Sequence, residues 1–232
     1  MIPLAQVVIR ERGESCVSDN GFCPDWIAHN LDRYVDPFWQ HVYLTLISLT
    51  IGFAISFGLA LLAHRRRWLV GPITQVTGIL YTLPSLAVFF LLLPVTGRGN
   101  TTAIIALVAY TLLIIFRNIM SGLDNVPEET RDAGRGMGLT DRQLLWRVEL
   151  PLALPEIFAG LRIAVTTTVG LGTLAFFAGA GGLGEQIFAD VNFKSNVVVA
   201  GGACVLLAAV FDLAILLVQR AATPWTRARA TS

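Results

Sequence analysis

Five apolar runs, near residues 41–63, 71–94, 102–120, 156–178 and 197–219, restrict what this chain can fold into more than any other feature. A helix needs about 20 mostly apolar residues to cross the hydrocarbon core of a bilayer. Only helices and closed barrels satisfy their backbone groups there, and unbroken runs of this length call for helices. The expected fold class is therefore all-α, a polytopic membrane protein with five transmembrane helices. With 54% hydrophobic and only 14% charged residues, the chain has room for one membrane domain and none for a soluble catalytic domain. It divides into an N-terminal tail (1–40), a transmembrane domain (41–220) and a C-terminal tail (221–232). The net charge of +1 gives no basis for nucleic-acid binding.

Basic residues gather on cytoplasmic flanks of membrane spans, and their pattern here is one-sided. Arg65, Arg66 and Arg67 follow span 1, Arg131, Arg135, Arg142 and Arg147 fill the loop after span 3, and Arg220, Arg227 and Arg229 follow span 5. The opposite side carries Arg10, Arg12 and Arg33 diluted by Glu11, Glu14, Asp19, Asp25, Asp32 and Asp36, then Arg98 and Lys194. This places the N-terminus outside and the C-terminus in the cytoplasm. Trp39, Tyr43, Trp68 and Trp225 stand near span ends, where interfacial aromatics gather.

No cleavable signal peptide is expected, because the apolar stretch 2–9 is short and lacks a preceding basic region. Ile27, Leu31, Tyr34, Val35 and Phe38 recur at helical spacing, which suggests an amphipathic helix on the outer interface; a loosely ordered tail is the alternative. Cys16 and Cys23 fall on the oxidising side and allow a local disulfide if their Cα atoms approach. Cys204 is a packing residue within span 5.

The polar 121–155 loop is patterned. Pro127 suits a first helical position, and Glu128 and Glu129 complement the exposed N–H groups of a first turn. A short helix is expected to start there, pass through Asp132, Ala133 and Gly134, and stop around Gly136 or at a left-handed Gly138. Thr140 and Gln143 have capping-box spacing for a second helix, whose apolar face is Leu144, Leu145 and Val148. Pro151 and Pro155 are expected to halt it before span 4. A plain solvated connector would not require this pattern.

Asp132-Ala133-Gly134, three residues, Gly138, nine residues, then Val148-x-Leu150-Pro151 resembles the Glu-Ala-Ala-x3-Gly-x9-Ile-x-Leu-Pro signature of ABC-importer permeases. Asp132, Gly134 and Val148 depart from it, and a glycine inside a helix costs about 1 kcal/mol, so a looser first helix is expected. Tyr81-Thr82-Leu83-Pro84-Ser85-Leu86-Ala87, Arg117-Asn118, Gly134-Arg135-Gly136-Met137-Gly138, Glu149-Leu150-Pro151-Leu152-Ala153-Leu154-Pro155 and Gly179-Ala180-Gly181-Gly182-Leu183-Gly184 extend the resemblance to the permeases of osmoprotectant importers over roughly residues 40–220. That resemblance implies a bacterial plasma-membrane permease paired with a second, identical or related one, an ABC ATPase and an extracytoplasmic substrate-binding protein. It assigns ATPase coupling to Asp132, Ala133, Gly134, Gly138, Leu144, Leu145, Val148, Leu150 and Pro151. It implies glycine betaine, choline, carnitine or proline betaine as solute.

Candidates for a pathway or gate are Tyr81, Pro84, Ser85, Phe89, Tyr110, Gly179, Gly181, Gly182 and Gly184. Pro84 and Pro94 should kink or end span 2. Gly179-x-Gly181-x-x-Gly184 also spells a dinucleotide fingerprint, but a membrane span precedes it where a strand is required; a glycine-softened backbone break at the outer end of span 4 is expected instead. Small residues recur every fourth position at Ser48, Gly52, Ser56 and Ala60, and at Gly160, Ala164, Thr168 and Gly172. Such stripes allow close helix approach within the chain, or between two copies along span 4.

Charges inside spans are costly unless paired or near an edge. Arg117, Arg162 and Asp212 are expected one or two turns from the cytoplasmic ends of their spans, with Asp212 pairing to Arg162 or Arg117. His29, His41 and His64 show no metal-ligand spacing and suit interfacial hydrogen bonds. No P-loop is present, and the chain's lysine, Lys194, lies on the outer side. No catalytic residues, metal site or cofactor are therefore expected on this chain, and ATP belongs to the partner subunit. Lipid is the remaining partner. The alternative function is a self-contained secondary transporter or channel for a small solute.

Overall fold

The computed structural model describes residues 16, 17 and 20–225. The 2–9 stretch, Arg10, Arg12, Arg227 and Arg229 lie outside them. Among the described residues ten α-helices follow one another: α1 (Pro24–His29), α2 (Val35–Arg65), α3 (Val70–Thr82), α4 (Ser85–Thr96), α5 (Asn100–Asp124), α6 (Glu128–Gly136), α7 (Asp141–Leu144), α8 (Leu150–Gly172), α9 (Leu183–Ala189) and α10 (Lys194–Ala222). Among the described residues there is no strand. The protein is an all-α polytopic membrane protein.

Among the described residues four helical stretches are long and apolar enough to cross a membrane alone, at Leu31–Arg65, Asn100–Asp124, Asp141–Ala178 and Lys194–Ala222. The expected second span is broken instead of straight, because α3 and α4 meet at 97°. Pro84 explains the break: it has no N–H to donate, and it keeps Leu83 extended at φ −61°, ψ 139°. Pro94 is accommodated inside α4.

Helix α5 is the centre of the bundle, packed on α2, α3, α4 and α8. At the end of the bundle that carries the 121–155 loop, here the loop side, Ala60, Phe116, Ile119, Leu123, Leu150 and Ile157 form one core cluster. At the far side Leu44, Phe89, Leu107, Tyr110 and Ala178 form a second. Both small-residue stripes face inward: Ser48, Gly52, Ser56 and Ala60 are buried, as are Gly160, Ala164, Thr168 and Gly172. Gly52 lets α5 bring Thr111 onto the backbone of α2, and Gly160 does the same for Asn118 on α8. The stripe on α8 therefore serves packing within the chain and not contact between copies.

Two expectations about the first span and the tail change. Helix α2 starts at Val35, ahead of residue 41, because Asp36 and Pro37 suit a first turn. His41 is consequently fully buried, not interfacial, with Nε2 3.0 Å from the Val169 carbonyl. The segment 27–38 is not one interfacial helix. It turns at Asn30 between α1 and a 3-10 turn, Leu31–Tyr34, and clasps the start of α10. The Cys23 N–H donates to Ser195 Oγ at 2.7 Å, the Tyr34 hydroxyl donates to Asn196 Oδ1 at 2.6 Å, and Trp26 meets Phe193 edge-on at 4.7 Å. Cys16 and Cys23 are joined in a disulfide, with Cα atoms 5.7 Å apart.

Candidate functional site

The loop between α5 and α8 folds as its local sequence dictates. Helix α6 begins after Pro127 with Glu128 and Glu129 in its first turn. It ends where Gly138 takes φ +81°, a left-handed conformation that costs a side-chained residue more than glycine. The capping box is formed, with the Gln143 N–H donating to Thr140 Oγ1 and the Thr140 N–H to Gln143 Oε1 at 2.9 Å. Gly134 has a packing role. A Cβ there would lie 2.6 Å from Leu144 Cδ1, so the glycine lets Leu144 of α7 rest on the backbone of α6.

The apolar face assigned to docking is accordingly spent inside the chain. Leu144, Leu145 and Leu150 are buried, and Val148 and Pro151 are half-buried. The surface left free is the tip, where Asp132, Ala133, Gly138 and Thr140 are exposed and Met137 is 75% exposed. The prolines do not halt the helix either. A π-helical turn, Leu145–Glu149, joins α7 to α8, Pro151 sits in the first turn of α8, and Pro155 is carried inside it.

A buried charge network ties the loop to the bundle. Glu149 is only 4% exposed. It accepts a 2.7 Å bond from Arg131 Nε through Oε1, while Oε2 lies 2.9 Å from His64 Nε2. Arg131 also donates to the Leu123 carbonyl at 2.6 Å and to Glu128 at 3.1 Å. One carboxylate thus joins α6, the end of α2 and the entry to α8. Bonds from Arg131 and then Arg135 hold the Glu128 carboxyl below its ordinary range. Sequence reasoning missed Glu149, Arg131 and His64 as a unit; the available signal was a lone acid at the point where a span enters the membrane.

The pathway candidates separate into two groups. Tyr81 and Pro84 are exposed at the break, Ser85 is half-buried, and the Tyr110 hydroxyl donates to the Leu83 carbonyl at 2.7 Å, satisfying a group the break frees. Tyr81 and Tyr110 rings meet edge-on at 6.1 Å. Phe89 is fully buried, since α4 turns it onto α5. At the far side Gly179, Gly181 and Gly182 have φ of +77°, +74° and +86°. This break is held, not soft: Gly99 N–H donates to the Ala178 carbonyl at 2.7 Å, Gln40 to the Ala180 carbonyl at 2.9 Å, and Gly184 packs directly on the backbone of Thr173. Beside it Phe90, Phe176, Phe177 and Phe188 form an aromatic cluster that the sequence reading did not single out.

Asp212 pairs with Arg162 through two bonds of 2.7 and 2.8 Å. Arg117 is exposed and, among the described residues, joins no ion pair. The three share a depth, since Gly160, two residues before Arg162, packs on Asn118 beside Arg117, and they lie deeper than the loop-side network. Arg162 lies about 20 Å beyond Glu149 along the helix, at about 1.5 Å per residue, and the pair keeps about a third of each side chain exposed.

Comparison with known proteins agrees with this architecture. A choline transport system permease protein, OpuBB, of Bacillus subtilis (strain 168) is 36% identical over 188 residues, covering 80% of this chain and 87% of the relative. The osmoprotectant import permease protein OsmW of Salmonella typhimurium is 38% identical over 195 residues, covering 80% and 90%. The inward-facing MetNI methionine ABC transporter matches in fold with a TM-score of 0.74 at 23% identity, over 87% of this chain and all of that one. Residues 43–228 match the model of the binding-protein-dependent transport system inner membrane component, and the chain belongs to that family of ABC-importer permeases.

Proposed function

We propose that this chain forms the membrane pathway of an ATP-driven importer for quaternary-ammonium osmoprotectants such as glycine betaine, choline, carnitine or proline betaine. The observation that carries the coupling half is the loop: an exposed tip at Asp132, Ala133, Met137 and Thr140, fastened to three helices through buried Glu149. A tip so fastened transmits a push from a docked ATPase into the spans. ATP stays on that ATPase, an extracytoplasmic binding protein delivers solute, and a second permease completes the pathway. The α3–α4 break supports the pathway assignment, since irregular backbone at membrane depth needs protein or water beside it. Similarity to a choline transport permease and an osmoprotectant import permease supports the solute class.

Uptake of labelled glycine betaine, choline and an unrelated amino acid, by cells expressing the permease with the ATPase and binding protein of its own organism, tests the reading. Betaine or choline is expected to accumulate; accumulation of the amino acid alone removes the osmoprotectant assignment, and uptake that survives without the ATPase favours a secondary transporter.

The loop side faces the cytoplasm in this reading, as Arg65, Arg66, Arg131, Arg135, Arg142 and Arg147 indicate. A cysteine placed at exposed Asn192 is expected to react with a membrane-impermeant thiol reagent in intact cells, while one at exposed Thr140 stays unlabelled. Cys16 and Cys23 are bonded to each other and Cys204 is buried, so background labelling is low. The reverse pattern overturns the orientation.

A further inference from the structure

Two adjoining cavities on the loop side, of about 450 and 360 Å³, share Arg65, Arg142 and Leu145. The first is polar, closed by His64, Arg135, Asp141 and Glu149. The second is lined by Leu61, Leu62 and Trp146. Their order follows from two helix ends that run in opposite directions. Helix α2 leaves the bundle, so Leu61 and Leu62 come one turn before Arg65. The α7–α8 rod enters it, so Arg142 comes one turn before Leu145 and Trp146. A turn is about 5.4 Å on both, and the result is one groove with arginines at the aqueous end and apolar side chains at the bilayer end.

Charge decides what fits. Arg135 is taken up by Glu128 and Asp132, and Glu149 by Arg131 and His64. Among the described residues Arg65 and Arg142 join no ion pair. Asp141 is the one unpaired acid lining the groove, so the polar end keeps a positive excess. Trp146 is half-exposed beside Phe57, and indole rings favour the headgroup level of a bilayer.

We infer that this groove binds an anionic phospholipid, its phosphate between Arg65 and Arg142 and an acyl chain along Leu61, Leu62 and Trp146. Basic pockets between membrane helices hold acidic headgroups in this way. The inference needs the groove to lie at a bilayer surface; it does not depend on the solute.

Trp146 supplies the readout. The full-length permease is placed in nanodiscs of phosphatidylcholine containing brominated phosphatidylglycerol or brominated phosphatidylcholine, and the Trp146 signal is isolated by subtracting Trp146→Phe. Brominated phosphatidylglycerol is expected to quench Trp146 in preference to brominated phosphatidylcholine. The preference should fall about tenfold in Arg65→Gln/Arg142→Gln and persist in Arg66→Gln, whose arginine lines neither cavity. Equal quenching by both lipids, or a preference that survives the double substitution, overturns the inference. So does its loss to millimolar inorganic phosphate, which would make this a soluble-anion site, or its loss on adding the ATPase, which would make the groove a protein contact.

Discussion

Glu149→Ala is expected to leave the protein in the membrane and to abolish coupled transport. The long apolar helices do not depend on this carboxylate, but the loop does. Removing it takes from Arg131, whose side chain is 12% exposed, its buried carboxylate, so that only Glu128 and the Leu123 carbonyl still hold it, and leaves His64 without its partner. Breaking a buried pair from one side costs about 3 kcal/mol, enough to lower the population of the fastened loop about a hundredfold. Glu149→Gln keeps an acceptor for Arg131 and should fall between. At matched expression, the ATPase should co-purify poorly with the alanine variant, and solute should no longer stimulate hydrolysis. Wild-type uptake and stimulation would show that the network does not fasten the coupling loop.

Gly184→Val should instead remove folded protein. A Cβ at Gly184 would lie 1.8 Å from the Thr173 carbonyl oxygen and 2.7 Å from Thr173 Cα. Both are main-chain atoms, so no side-chain rotation relieves the clash, and α9 must lift from the 3-10 turn Thr173–Ala178. Overpacking of this kind costs about 3 kcal/mol or more. The expected result is a sharp fall in detergent-extractable, monodisperse protein and in its thermal aggregation temperature, with Gly71→Ala, where a Cβ meets nothing within 4 Å, unchanged. Normal yield and heat resistance in Gly184→Val would count against a held far-side loop.

Features written by neighbouring residues were legible in the sequence. The Thr140–Gln143 box, the left-handed Gly138 and the break at Pro84 each rest on a few adjacent positions, so local stereochemistry decides them. Glu149 could not be read in the same way: its partners Arg131 and His64 come from separate elements, and only packing brings them together. The proline reading failed at Pro151 for a related reason. A proline ends a helix by withholding one donor, but in a first turn that donor has no partner to lose, and the π turn before it supplies that setting. Leu144 looked like a docking residue because its apolar face was visible while Gly134, the surface beneath it, was read as a defect.

The stretch Asp141–Ala178 is one 38-residue rod, about 57 Å long at about 1.5 Å per residue. It runs from the loop tip to the held glycine turn at the far side. Near its middle, Arg162 bolts it to α10 through Asp212. A stiff beam pinned near its centre moves as a see-saw, so drawing the loop end inward swings the far end outward with no relay of side-chain rearrangements between them. The ion pair is then a fulcrum, and its position along the beam sets how far one mouth opens for a given closure of the other.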